Sequence, residues 1–373
     1  MKTILSSVPS FNEEDFPKFI EESRRIFQSG KFILGDNTEK LENEFKKYTK
    51  ANYAIATSSA TASLEIILKF INVENCEVIV PANTFVSTLY ALENCKAKPV
   101  VVDIDPNTFC IDLEEVISNI TSKTKALVIT HIAGLIPEYI SEIKEVCDKH
   151  DIFLIEDCAH ATGAKYNGVS AGTFGFAGIF SLYQSKVISS GTGAVIITDN
   201  KELYEFSLLM RWHGVKGADN IHLASNWLLS EFNALVAYLQ MCRIDEILTQ
   251  RISIARSYIK ELTKISRDFQ FQKTSSSHIH SYYKFIVKYK DKDSISYITK
   301  ELQSKGIQTG QCYPILLNEH SSIEGSALYK EIKPKAREFA ESHFTIPLNL
   351  NLTEQDYEYV ISNIKSLCTN TYA

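Results

Sequence analysis

The sequence predicts an α/β fold built on a mostly parallel sheet, and three observations carry that reading. Short runs rich in Val and Ile recur between Ala54 and Asp199, amphipathic stretches separate them, and polar or reactive residues follow several run ends. The runs are VIV (78–80), VVVDI (100–104), ALVIT (126–130), IFLIED (152–157), GIFSL (178–182) and AVIIT (194–198). Such unbroken apolar runs suit strands buried on both faces. Between them Leu64, Ile67, Leu68 and Ile71 recur at helical spacing, as do Ile140, Ile143 and Cys147. Alternation of strand and helix is the pattern of a doubly wound sheet. A long helical pattern from about Ser230 to Ile254 ends the alternation. The remainder reads as a separate α+β unit that includes YYKFIVKY (282–289) and a final helix around 354–367. The expected division is a large domain, 1–245, and a small C-terminal domain, 246–373.

With 373 residues, 45% of them hydrophobic, the chain can bury a substantial core. Its formal net charge is −6 and no Lys/Arg run stands out, so the electrostatic footprint of a nucleic-acid binder is missing. No segment approaches the ~18 consecutive apolar residues of a membrane span. The start, MKTILSSVPSFNEEDF, reaches acids after a short apolar stretch, and the cytoplasm is the expected compartment. Eight cysteines lie scattered, with no C-x-x-C pair and no His clustering at metal-ligand spacing. They read as reduced thiols, and no metal is expected.

Sheets of this class place ligands at the carboxyl ends of their strands. Here those ends lead into PANTF, THIAG, EDCAH and SLYQSK. Lys186 follows a buried run in a Gly- and Ser-rich turn with almost no competing charge. Desolvation there disfavours the ammonium form and favours an amine able to attack an aldehyde; an ordinary turn lysine is the competing reading. Asp157 ends IFLIED, where a carboxylate either keeps a pyridinium nitrogen protonated or caps a helix. In TSSATASLEIIL, Ser58, Ser59 and Thr61 precede a strongly amphipathic helix, so hydroxyls and free N–H groups form a phosphate cup or a plain N-cap. His160 follows Asp157 by three residues, and Phe85 in PANTF suits either core packing or ring stacking. The glycines of SSGTGAV form only a G-x-G, which excludes the dinucleotide fingerprint.

Taken in order, SSATAS, VIVPANTF, PVVVDIDPNTF, THIAG, LIEDCAHATGAKYNG, SLYQSKVISSGTGAVIIT, MRWHG and NWLLSEFNA resemble the DegT/DnrJ/EryC1/StrS family of sugar aminotransferases. GIQTGQCYP and HFTIPLNLNLTEQDYEYV resemble segments of that family's small C-terminal domain. The resemblance implies the aspartate-aminotransferase fold type, pyridoxal 5′-phosphate as cofactor, and a homodimer with active sites at the subunit interface. Residue by residue, it implies that Lys186 holds the cofactor as a Schiff base and that Asp157 contacts the pyridine nitrogen. It also implies that Phe85 stacks on the ring and that His160 lies beside O3′. Ser59, Ala60, Thr61 and Ala62 would hold the phosphate, with the Ser181 hydroxyl and Asn226 of the partner subunit reaching the same group. The implied reaction moves an amino group from glutamate to a nucleotide-linked keto-6-deoxysugar, at C3 or C4, for lipopolysaccharide, another surface polysaccharide or a related amino sugar. Lys186 argues against the dehydratase branch, which has histidine there. Four departures keep a regulatory or otherwise altered cofactor-binding homologue as the alternative. Thr192 stands where the family usually has an acid, Ala194 replaces a Gly, Phe176 an Asp and Leu228 an Arg, with Arg211 and Lys31 as nearby cations.

Overall fold

The computed structural model describes residues 3–9, 11–324 and 331–370. Seven strands form the central sheet: β1 (Tyr53–Thr57), β2 (Glu77–Pro81), β3 (Lys98–Val102), β4 (Thr124–Thr130), β5 (Phe153–Asp157), β6 (Ala177–Ser181) and β7 (Ala194–Thr198). Their order is β1-β7-β6-β5-β4-β2-β3. Neighbours from β6 across to β3 run parallel, while β7 is antiparallel to both β6 and β1. The six expected runs become β2 to β7. β1 was not among them, because alanines at 54 and 56 mute its β signal.

Alternate residues of each strand enter opposite cores. Val78, Val80, Ala126, Val128 and Ile196 pack on one side with Leu64, Ile67 and Leu68 of the helix Ala60–Phe70. Ile79, Leu127, Ile129, Val195 and Ile197 pack on the other with Ile140 and Ile143 of the helix Ile140–Lys149. Both faces being covered explains why the strands read as continuous apolar runs rather than alternating ones.

The helix expected from 230 to 254 is two helices, Glu231–Met241 and Ile244–Ile265, broken at Cys242–Arg243. Arg243 at the break donates to Asp15 Oδ2 at 2.6 Å, and Asp245 and Glu246 open the second helix, where its dipole favours acids. That second helix leaves Ile244, Ile247 and Leu248 in the central core and carries Ala255, Tyr258 and Leu262 into a third core. The third core is closed by an antiparallel sheet, Phe269–Gln270, Phe285–Tyr289 and His343–Ile346, and by the helices Asp293–Ser304 and Glu354–Asn370. Residues 4 and 5 pack against this unit. Ile4 is buried in the third core, its N–H donates to Gly306 O at 2.8 Å, and Asn349 Nδ2 donates to Leu5 O at 2.7 Å.

The helix Asp36–Thr49 begins at Gly35, which has no capping side chain. Buried Glu231 supplies the cap from afar: its carboxylate accepts the N–H groups of Gly35, Asn37 and Thr38 at 2.9, 2.7 and 2.9 Å, and the Thr38 hydroxyl. A Cβ at Gly35 would lie 2.9 Å from Glu231 Cδ, so the carboxylate's approach requires glycine there. Among the described residues no helix is long and apolar enough to cross a membrane.

Candidate active site

The carboxyl ends of β1, β2, β5 and β6 open on one edge of the sheet. Antiparallel β7 brings its first residue to the same edge, since Ala194 pairs with both Ser181 and Thr57. A cavity of about 600 Å³ lies there, and its wall includes Ser59, Ala60, Thr61, Phe85, Asp157, His160, Ser181 and Lys186. Two of the expected site residues are elsewhere. Ala62 is buried with its N–H donated to Ser59 Oγ at 3.1 Å, and Asn226 bridges to Trp212 in a loop outside the cavity.

Lys186 sits in the turn after β6, where its N–H donates to Tyr183 O at 2.8 Å. Its Nζ lies 4.4 Å from the centroid of the Tyr283 ring. Burial pulls its pKa down to about 8; Asp157 opposes that shift and Lys284 adds to it. Roughly a tenth of the amine is therefore neutral at pH 7, against well under a hundredth for an ordinary lysine. Asp157 receives one hydrogen bond among the described residues, from Ala159 N at 3.0 Å. Burial raises its pKa, against the Ala159 N–H, Lys186 and His131, so the carboxylate lacks a cationic partner at short range.

His160 Nδ1 accepts the Ala133 N–H at 3.2 Å, so the neutral ring carries its proton on Nε2 and donates to Tyr313 Oη at 3.1 Å. The ring stacks on Tyr283, centroids 4.2 Å apart, and burial holds its pKa well below the usual histidine range. At the start of the helix Ala60–Phe70, Ser59 is the N-cap, and the N–H of Thr61 meets no acceptor among the described residues. Ser181 Oγ is buried in the cavity wall and accepts from Tyr183 N at 3.3 Å. Phe85 belongs to none of the cores and is 58% exposed, which rules out the core-packing reading.

These residues fit pyridoxal 5′-phosphate by their own chemistry. A helix N-terminus with a free N–H suits the phosphate, a buried carboxylate short of partners suits a protonated ring nitrogen, and a lysine of lowered pKa suits the aldehyde. Phe85 offers an unpartnered ring at the cavity wall.

The cavity also contains residues to which sequence reasoning gave no role. Tyr283 and Lys284 precede the strand Phe285–Tyr289, which occupies the end of YYKFIVKY. Tyr283 Oη hydrogen-bonds Ser185 Oγ at 2.9 Å. Gln311, Cys312, Tyr313 and His320 follow from GIQTGQCYP and the turn after it, with Tyr313 at a φ of 55°. A non-glycine residue in that region is strained.

Three of the four departures have a place in the structure. Thr192 Oγ1 donates to Ser58 O at 3.0 Å, tying the loop before β7 to the phosphate end of β1. Phe176 stacks on Phe70 and meets the edge of Phe153, before the first residue of β6 and so at the end of the sheet remote from Lys186. Ala194 pairs in the ladder of β7. For Leu228 nothing in the structure explains the exchange. Of the nearby cations, Arg211 is buried and occupied, donating to Glu42 Oε1 at 2.6 Å and Ala56 O at 3.1 Å, whereas Lys31 is exposed. All eight cysteines are free.

The model of the DegT/DnrJ/EryC1/StrS aminotransferase family matches residues 14–365. A pleiotropic regulatory protein of Geobacillus stearothermophilus is 31% identical over 353 residues, which is 93% of this chain and 94% of that protein. Among solved structures, the PLP-form of the putative sugar aminotransferase Spr1654 from Streptococcus pneumoniae superposes with a TM-score of 0.90 at 25% identity, covering 99% of both chains. The aminotransferase TlmJ from Streptoalloteichus hindustanus gives 0.91 at 24% identity, covering 99% of this chain and 100% of its own. With the fold, the cavity and a family match over nearly its whole length, the chain is a pyridoxal-phosphate-dependent aminotransferase belonging to the DegT/DnrJ/EryC1/StrS family.

Proposed function

We propose that the protein is a cytoplasmic homodimer that moves an amino group from glutamate to a nucleotide-linked keto-6-deoxysugar, at C3 or C4, in the making of amino sugars for surface polysaccharides. The observation that carries this reading is the convergence of Lys186, Asp157 and His160 at one strand edge, beside a helix N-terminus. When bound, pyridoxal 5′-phosphate supplies an aldehyde that takes up the amine and a conjugated ring that holds the electron pair left when a Cα proton departs.

The chain's own residues do the rest. Asp157 keeps a proton on the pyridine nitrogen, and the cofactor's ring supplies the cation the carboxylate lacks. His160, neutral, would turn its Nε2–H from Tyr313 Oη to the ring's oxygen without adding charge. The Thr61 N–H and the helix dipole hold the phosphate, joined by Ser181 and by Asn226 of the partner subunit. Phe85 stacks over the ring and shields it from water. Lys186 Nζ would hold the cofactor at its aldehyde carbon, with loss of water, and as a free amine would carry the proton of the donor carbon.

A second reading, a regulatory or altered cofactor-binding homologue, is favoured by the regulatory name of the Geobacillus relative. The visible spectrum of the purified protein separates the two. Addition of glutamate bleaches the cofactor band if the aminotransferase reading holds, and Lys186→Ala loses or alters the band and all turnover. A cofactor band indifferent to glutamate and to every other amino acid supports the second reading.

A further inference from the structure

Among the described residues three charged side chains line the cavity: Lys186, Asp157 and Lys284. The cavity's other titratable groups are neutral, since burial lowers the pKa values of His160 and His320 and raises that of the Cys312 thiol to about 11. Lys186 and Asp157 have tasks in the cofactor's chemistry. Lys284 has none, and among the described residues no carboxylate pairs with it.

Its placement is fixed rather than accidental. Buried Arg251 donates to Ser281 O at 3.1 Å and to Tyr283 O at 3.2 Å, and also to Tyr282 O at 2.5 Å, pinning the three residues before Lys284. Lys284 Nζ lies 5.3 Å from the Tyr283 ring centroid, the ring that Lys186 Nζ approaches at 4.4 Å. The two ammonium groups share one aromatic wall. A mostly buried cation with no acid beside it is costly unless an anion arrives.

We propose that Lys284 holds the carboxylate of the amino donor. This rests on the aminotransferase reading. Every amino-acid donor carries its α-carboxylate on the carbon that bears the reacting amine, so an amine delivered to the Lys186 position brings the anion close to the Tyr283 wall. A keto-sugar is neutral around its reacting carbon, and its diphosphate is remote from that carbon. The cation beside Lys186 therefore serves the donor half of the reaction.

The test uses the cofactor-loaded enzyme and its Lys284→Met, Lys284→Gln and Lys284→Arg variants. Succinate, an unreactive dicarboxylate, is titrated calorimetrically, and glutamate is titrated by following the cofactor band. The expected result is an unchanged cofactor band with succinate and glutamate each bound about 10-fold or more weakly in the Met and Gln variants, and near-native binding in the Arg variant. Unchanged succinate binding in both neutral variants overturns the proposal. So does loss of the cofactor band, which would assign Lys284 to the cofactor, or a defect confined to the keto-sugar half-reaction. Succinate binding needs no turnover: a wild type whose band ignores glutamate counts against the aminotransferase reading, while the variants still decide the role of Lys284.

Discussion

Lys186 titrates near 8 in the fold and near ~10.4 in an unfolded chain. Between those values the unfolded state binds more protons than the native state, so stability of the cofactor-free protein rises with pH across that window. Below about 8 the buried ammonium works against folding. Lys186→Met in the cofactor-free protein is therefore expected to be more stable at pH 7 by about 1–3 kcal/mol in urea unfolding, with the gap closing above pH ~10. Lys186, Asp157, His160 and Phe85 were readable as candidates because each stands at or just past a strand end that the apolar pattern located, and Thr61 because hydroxyl residues there open an amphipathic helix. Lys284 and Tyr313 gave no such signal. They reach the cavity from segments more than a hundred positions beyond Asp157 in the sequence, and only the tertiary fold brings them to the Tyr283 wall.

Among the elements, the six apolar runs were readable because burial on both faces left them without a polar residue every second position. The break at Cys242–Arg243 was not, since the apolar helical spacing continues across it and the ion pair made there, with Asp15, comes from far away in sequence. The helix Asp36–Thr49 was equally hidden as a dependent element, for its cap comes from Glu231. Glu231→Gln turns one accepting oxygen into a donor facing backbone N–H groups. It is expected to lower unfolding free energy by about 2–4 kcal/mol, measured by urea denaturation at constant cofactor loading.

For the molecule as a whole, Asn226 lies outside the cavity of its own chain, and Trp212, Leu223 and Phe27 are exposed at 49%, 98% and 67%. Large apolar side chains left in water suit burial against a second copy, in keeping with a shared site. Mixing Lys186→Ala with Asn226→Ala subunits is then expected to restore activity above that of either parent, because each hybrid dimer regains one intact site. A mixture no better than its parents counts against sharing. The attachment of the chain's start to its far end has another consequence, in the order of synthesis. Leu5 O waits for Asn349, 344 positions later. At the ribosome's pace of ~5–20 residues per second that is tens of seconds before Leu5 O meets this partner. A nascent chain halted before Asn349 can already pair Ile4 with Gly306 but leaves Leu5 O without its amide partner.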